Sequence, residues 1–104
     1  MTAKRGTVKR KAADSAGRYA EDRAALVLHL KGWDILAKRV KTKLGEIDLI
    51  ARRDGMVAFV EVEWRADPAT LKDSIDEHRL SRVAAAAELL FPDYAQAGDD
   101  MRID

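Results

Sequence analysis

Two neighbouring segments decide the fold, GEIDLI at residues 45–50 and FVEVEWR at residues 59–65. Both are rich in β-branched and aromatic residues and carry acidic residues at every second position, which is typical of β-strands. The RDG sequence at residues 53–55 lies between them and predicts a tight hairpin turn of the Asp-Gly type. Because side chains along a strand alternate between its two faces, the hairpin can bring Asp48 beside Glu61 on one face.

The rest of the chain predicts alternating helices and strands around this hairpin. Apolar residues at helical spacing indicate a first helix from about residue 13 to residue 31, which Gly32 ends as a C-terminal cap. The resulting order, αβββαβ, predicts an α/β domain with a mixed sheet flanked by helices, whose last strand runs parallel to the third. The remaining predicted elements are strands at residues 33–40, 46–52 and 56–65, a helix at residues 68–90 and an extended segment at residues 101–104.

Composition is that of a small globular protein. The 104 residues suffice for one domain, and 47% apolar residues are ordinary for such a chain. No apolar run is long enough to span a membrane, and the N-terminus has no apolar core of a secretory signal. The chain has no cysteine, which excludes disulfides and thiolate metal sites and favours a cytoplasmic protein.

Charge is unevenly distributed along the chain. The net charge is +1, but residues 1–11 contain five cations and no acid, so the other residues sum to −4. We expect residues 1–12 to form a disordered basic arm and residues 13–104 to form a single domain. Such an arm is either a nucleic-acid contact or a solubilising terminus.

Carboxylates gathered on one strand face repel one another, so their negative charge must be neutralised. Two of them about 5 Å apart repel by roughly 3 kcal/mol at an effective dielectric constant of about 20. A bound Mg²⁺ or Mn²⁺, protonation of one carboxyl group, or a cross-strand cation such as Lys38, Arg52 or Arg65 would relieve this repulsion. The pattern therefore indicates either a divalent-metal site or a solvated acidic strand face.

Five blocks of the sequence carry a family resemblance: GRYAE at residues 17–21, GWDIL at 32–36, GEIDLIA at 45–51, FVEV at 59–62 and RID at 102–104. Together they resemble the YraN-type family of small bacterial proteins. That family is similar in turn to the PD-(D/E)xK nucleases, so the resemblance implies a restriction-endonuclease-like three-layer α/β core. It covers about residues 15–104, and family members usually continue further, which implies that the natural C-terminal end lies beyond Asp104.

The resemblance also implies roles for individual residues. Glu21 corresponds to a helix acid, Asp48 to the core metal ligand, Glu61 to the second ligand and Glu46 to an accessory acid near a bound Mg²⁺ or Mn²⁺. The family pattern has a lysine two residues after the second ligand, where this chain has Glu63. An acid there would oppose the negative charge that develops during phosphodiester hydrolysis, which predicts impaired catalysis. The catalytic candidates are thus Glu21, Asp48, Glu61 and Glu63.

Three functions stay open at this stage. The first is a metal-dependent endonuclease acting on DNA, including branched DNA, in which Lys72, His78 or Arg65 replaces the missing lysine. The second is a catalytically inactive nucleic-acid-binding protein, and the third is a protein-interaction module of the same fold. Relatives that resolve DNA junctions suggest a homodimer. The expected nucleic-acid contacts are Lys41, Lys43, Arg52, Arg53 and Arg65.

Overall fold

The computed structural model describes residues 5–62 and 77–104 of the chain. In this part of the chain the element order is αβββαβ, which confirms the predicted α/β class. The predicted roles of Glu63, Arg65 and Lys72 concern residues outside the described ranges. The elements are α1 (Arg5–Leu30), β1 (Asp34–Lys41), β2 (Glu46–Arg53), β3 (Met56–Val60), α2 (Glu77–Tyr94) and β4 (Asp100–Ile103).

The four strands form one mixed sheet in the order β1-β2-β3-β4. The first three are antiparallel neighbours, and β4 runs parallel to β3, as predicted from the intervening helix. The β2–β3 turn has positive φ angles of 49° at Asp54 and 76° at Gly55. Positive φ at both central residues defines a type I′ hairpin turn, which confirms the Asp-Gly prediction.

The core lies along β2 and β3. Every residue of β2 from Ile47 to Ala51 is buried, so both faces of the sheet are covered at this strand, as a three-layer arrangement requires. Helix α2 packs on the face that carries Ile50 and Phe59, while α1 packs against β1 and β2. The main apolar cluster contains Ile47, Ile50, Val57, Phe59, Val83, Ala86, Ala87 and Leu90.

Helix α1 ends where the sequence predicted but begins earlier. Gly32 has a φ of 96°, and its N–H donates to His29 O while Trp33 N–H donates to Leu28 O, which together form a Schellman cap. The helix begins at Arg5, so residues 5–12 are helical and differ from the predicted disordered arm. Lysine, arginine and alanine have high helix propensity. These residues therefore favour a helix in this segment, although its apolar residues do not recur at helical spacing.

Two strands differ in detail from the prediction. In β1, the register shifts between Ile35 and Ala37, and Arg39 has a φ of 52°, so the strand does not alternate regularly. Strand β3 ends at Val60, and Glu61 follows it directly. Within the described ranges, no helix is long and apolar enough to cross a membrane.

A two-donor ion pair fixes the turn before β4 to β2. Arg52 donates from Nε and Nη2 to the two carboxylate oxygens of Asp99, at 2.7 Å each, and Asp99 also accepts from Gln96 N–H at 2.7 Å. The Asp99 side chain is only 2% exposed. These bonds give Arg52 a structural role that the sequence did not indicate, while its nucleic-acid role stays a prediction.

We expect Asp99→Asn to lower the melting temperature at pH 7 by several degrees, because it removes the charge-assisted pair. The hydrogen bond from Arg52 lowers the pKa of Asp99 to about 2 from 3.8, so this stabilisation is present above pH 3.8 and is lost as the pH falls through 2. Thermal melting from pH 2 to 7 should therefore show the two proteins converging at low pH. Asp100→Asn at the exposed neighbouring residue is the matched control, and an equal loss in both variants would contradict the prediction.

Candidate functional site

A cavity of about 180 Å³ opens where the start of β2, the end of β3 and the first turns of α2 meet. In the described part of the chain, its wall carries three carboxylates and two guanidinium groups, with Val83 as the apolar side chain. This mixture is unusual for a protein interior, because buried charges are costly unless they are paired or bind an ion. The lining residues are Gly45, Glu46, Asp48, Glu61, Arg79, Arg82 and Val83.

The β1–β2 hairpin forms one side of the cavity and is shaped by Thr42. The Thr42 hydroxyl donates to Gly45 O at 2.8 Å and accepts from the N–H groups of Leu44 and Gly45 at 3.0 Å. A Cβ added at Gly45 would lie 3.1 Å from Arg82 O, which is closer than nearly all such contacts. Glycine at this position therefore lets the hairpin approach α2 closely enough to enclose the site.

Asp48 lies on β2 and is 9% exposed. Its Oδ2 accepts a hydrogen bond of 2.8 Å from the backbone N–H of Val62. Continuing the ladder past the Leu49–Val60 pair brings Asp48 opposite Glu61, as the hairpin prediction required. The two carboxylates line the same cavity and are largely removed from solvent, whereas Glu46 of the same strand is exposed.

Glu61 is a largely buried carboxylate whose pKa is shifted from its ordinary value. Its side chain is 10% exposed, and Oε1 accepts from Arg79 Nη2 at 2.8 Å and Nε at 3.2 Å. Oε2 is buried and has no hydrogen-bond partner among the described residues. Burial and the neighbouring Asp48 charge raise the pKa of Glu61 to about 7, although Arg79 opposes the shift. An unpaired buried oxygen and a raised pKa are both typical of a functional carboxylate.

The carboxylates of the cavity fit a divalent cation that is bound by few protein ligands. The described ranges contain no group of three or more His, Cys, Asp or Glu side chains that could hold one metal ion. Mg²⁺, however, usually keeps several waters and is held by one or two carboxylates together with phosphate oxygens. Asp48 and Glu61, with Oε2 of Glu61 unpaired within residues 5–62 and 77–104, fit that pattern, and Glu46 is an exposed acid of the cavity lining.

Glu21 does not line this cavity. Its carboxylate accepts a 2.7 Å hydrogen bond from Arg39 Nη1, and its side chain is 12% exposed. The Glu21 bond raises the pKa of Arg39, opposed by burial and assisted by the charges of Asp22 and Glu46. Glu46 thus lines the cavity, and its charge also acts on Arg39 of the Arg39–Glu21 pair. The acid that the resemblance assigns to the metal site is committed to an ion pair between α1 and β1.

The expected nucleic-acid contacts fall in different places. Lys41 and Lys43 are exposed in the segment that leads to Gly45 and Glu46, and Lys41 pairs with Glu46 in the β1–β2 ladder. Arg53 is also exposed, with its Nε 3.3 Å from Asp54 Oδ2 at the opposite end of β2. Among the described residues of this group, Lys41 is therefore the one paired with a residue that lines the cavity.

Sequence reasoning missed the two arginines of the cavity. It considered His78, which is exposed, but not Arg79 or Arg82 of the same helix turn. Val83 is buried, and a residue four positions earlier on a helix lies on the same side. That spacing would have predicted that Arg79 faces the sheet.

Comparison with known proteins supports the family that the sequence resembles. The sequence model of the uncharacterised protein family UPF0102, which is the YraN-type family, matches residues 20–104. A UPF0102 protein of Erythrobacter litoralis is 62% identical over 97 residues, which cover 93% of this chain and 84% of the relative. UPF0102 proteins of Sphingopyxis alaskensis and Rhizorhabdus wittichii are each 54% identical, covering 91% and 92% of this chain and 82% and 81% of the relatives. The predicted family is confirmed.

We expect the pKa of Glu61 to make stability fall as the pH rises in metal-free buffer. Because the pKa is raised from 4.5 to about 7 in the folded protein, the contribution is fully present below pH 4.5 and is lost as the pH rises through 7. The loss should be on the order of 2 kcal/mol, since one pKa unit corresponds to about 1.4 kcal/mol and solvent screening reduces the full value.

Thermal melts of the wild type and Glu61→Gln in EDTA from pH 4.5 to 8.5 measure this effect. The wild type should lose stability relative to the glutamine variant over this interval. Glu88→Gln, at an exposed position of α2, controls for the loss of any glutamate. A constant difference between wild type and Glu61→Gln at all pH values would contradict the prediction.

Proposed function

We propose that this chain, which belongs to the uncharacterised protein family UPF0102, is a divalent-metal-dependent DNA-binding protein of the nuclease type. Asp48 and Glu61 are the proposed ligands of Mg²⁺ or Mn²⁺. The observation that carries the proposal is the burial of both carboxylates in one cavity, with Oε2 of Glu61 unpaired among the described residues. A hard cation is the partner that oxygen ligands in such a setting select.

The charges of the cavity favour a cation and a phosphate together. Among the described lining residues, three carboxylates against two guanidinium groups leave one net negative charge when all five groups are ionised. One divalent cation would change that to one net positive charge, and one phosphodiester group would then neutralise it. For these described residues neither ligand alone balances the charge, which supports joint binding.

The carboxylates of the cavity would bind the metal ion, and nearby cationic side chains would bind the phosphate. Val62 N–H donates to one oxygen of Asp48 and Arg79 donates to one oxygen of Glu61, while Oε2 of Glu61 has no partner among the described residues and could bind the cation. Arg82 in the cavity and Lys41, which pairs with Glu46 across the β1–β2 ladder, would provide positive charge for phosphate oxygens. A bound metal ion would polarise the phosphate and lower the pKa of an attacking water.

DNA binding without cleavage is the second candidate function, and two observations favour it. Position 63 carries a glutamate where the family pattern has a lysine, so the sequence lacks the cation that would stabilise developing charge. Glu21, the implied third acid, is paired with Arg39. Protein interaction through the acidic residues remains the interpretation if no DNA binding is found at low salt.

We expect Asp48→Asn to abolish most of the effect of Mg²⁺ on DNA binding. Asparagine keeps an oxygen that can accept from Val62 N–H, so the fold is retained while a metal ligand charge is lost. Fluorescence anisotropy with a branched DNA duplex should give at least tenfold tighter binding in Mg²⁺ than in EDTA for the wild type, and a much smaller ratio for the variant. Glu88→Gln should behave like the wild type, and an unchanged ratio in Asp48→Asn would refute the metal assignment.

We expect Glu63→Lys to gain Mn²⁺-dependent cleavage of the same DNA relative to the wild type. The substitution restores the cation that the family pattern places two residues after the second ligand. Product formation on a gel, with Asp48→Asn in the Glu63→Lys background as the control, measures the gain. DNA binding without cleavage in both the wild type and Glu63→Lys would leave the non-catalytic function as the better account.

A further inference from the structure

We propose that the outward face of α1 is the surface through which two copies of this chain associate, with the two α1 helices antiparallel about a two-fold axis. This surface lies apart from the cavity, since no residue of α1 belongs to the cavity lining in the described part of the chain. The association therefore does not depend on the metal and DNA binding proposed for the cavity.

Four large apolar side chains lie together on the exposed side of α1. Tyr19 is 65% exposed, Leu26 57% and Leu30 75%, and Val27 is exposed as well. The opposite side of the helix packs on β1 and β2, where Ala25 is buried. A single exposed leucine is ordinary, but large apolar residues that follow one face of a helix mark an interaction surface.

The exposed side chains have the spacing of a coiled coil. Successive members of the row are four, three and four residues apart, as core positions of paired helices are. Arg23 fits this row because its guanidinium lies over the ring of Tyr19, 5.9 Å from the ring centroid, and its aliphatic stem contributes apolar surface. We call this row the α1 seam, and it consists of Tyr19, Arg23, Leu26 and Leu30.

A two-fold axis between residues 24 and 25 pairs the α1 seam with itself. Tyr19 of each copy then faces Leu30 of the other copy, and Leu26 faces Arg23 of the other copy. In a parallel pair, by contrast, Arg23 would face Arg23 and the two like charges would repel. The charge within the seam therefore favours the antiparallel arrangement.

The residues beside the α1 seam match in the same arrangement. On one side, exposed Val27 faces the small side chain of Ala20 of the other copy. On the other side, the Asp22 carboxylate faces exposed His29, whose ring N–H can donate to it. Asp22 accepts from Lys38 at 3.1 Å and its side chain is 59% exposed, so it can accept a second hydrogen bond. The face of α1 thus complements itself in both shape and polarity.

Sedimentation velocity of the full 104-residue chain over a range of concentrations measures the association. The paired helix surface is small, so we expect a dissociation constant on the order of 10 μM. Leu26→Glu would place an unpaired charge in the seam and should weaken the dimer by about tenfold or more. Leu89→Glu is the matched control, because Leu89 of α2 is 53% exposed and should leave the association unchanged.

Cysteine cross-linking tests the orientation of the helices, since the chain has no cysteine of its own. Tyr19→Cys and Leu30→Cys are prepared separately and mixed under mild oxidation at a concentration that favours the dimer. Antiparallel helices should give a disulfide between the two different variants, because residue 19 of one copy faces residue 30 of the other. Each variant alone should cross-link far less.

Each other result counts against the proposal. A wild type that stays monomeric well above the expected dissociation constant would mean that this face binds something other than a second copy. Equal weakening by Leu26→Glu and Leu89→Glu would place the interface elsewhere, and preferential cross-linking of each variant with itself would overturn the antiparallel arrangement. Thermal melting verifies that the variants fold, and Leu30→Glu replaces Leu26→Glu if that variant does not. None of these results bears on the cavity, so the proposed function is tested separately.

Discussion

The register of the β2–β3 hairpin is the constraint on which the rest of the structure depends. The Asp54–Gly55 turn pairs Arg53 with Met56, and each pair that follows along the ladder is then determined as far as Leu49 with Val60. The next position brings Asp48 and Glu61 together. A slip of one residue would move one of these carboxylates to the other face of the sheet and would expose the apolar row that α2 covers. The turn chemistry and the burial of β2 therefore favour the same register.

That register places two carboxylates close together in a largely buried position, and the described contacts stabilise only part of their charge. Asp48 and Glu61 are both largely removed from water, and Asp48 contributes to the raised pKa of Glu61. Arg79 and the backbone N–H of Val62 each stabilise one carboxylate oxygen. Oε2 of Glu61 has no hydrogen-bond partner among the described residues, which separates this cluster from ion pairs that are purely structural. The Arg52–Asp99 pair at the other end of β2 shows the contrast, because there both carboxylate oxygens are paired.

The contrast between fully and partly paired carboxylates also separates the cations of the fold from those of the cavity. Arg52, Arg39 and Lys38 are held by Asp99, Glu21 and Asp22 in pairs that join separate elements of the fold. Arg82 instead lines the cavity, and Lys41 pairs with the cavity residue Glu46 across the β1–β2 ladder. Positive charge around the carboxylates is what a phosphate-binding site requires, whereas positive charge paired at a distance from them stabilises the fold. Composition alone does not separate these two uses of arginine and lysine.

The sequence by itself determined the strands, the hairpin turn, the cap at Gly32 and the shared face of Asp48 and Glu61. Each of these follows from local rules, namely side-chain alternation, the positive φ angles that Asp-Gly and glycine adopt, and hydrophobic spacing. Only the tertiary structure decided that α1 extends to Arg5, that Glu21 pairs with Arg39, and that Arg79 and Arg82 complete the cavity. These features depend on how α1 and α2 pack against the sheet. The spacing from Val83 indicates the side of α2 on which Arg79 lies, but not which groups of the sheet it meets. Contacts between residues distant in the chain are set by the packing of whole elements, so no local pattern specifies them.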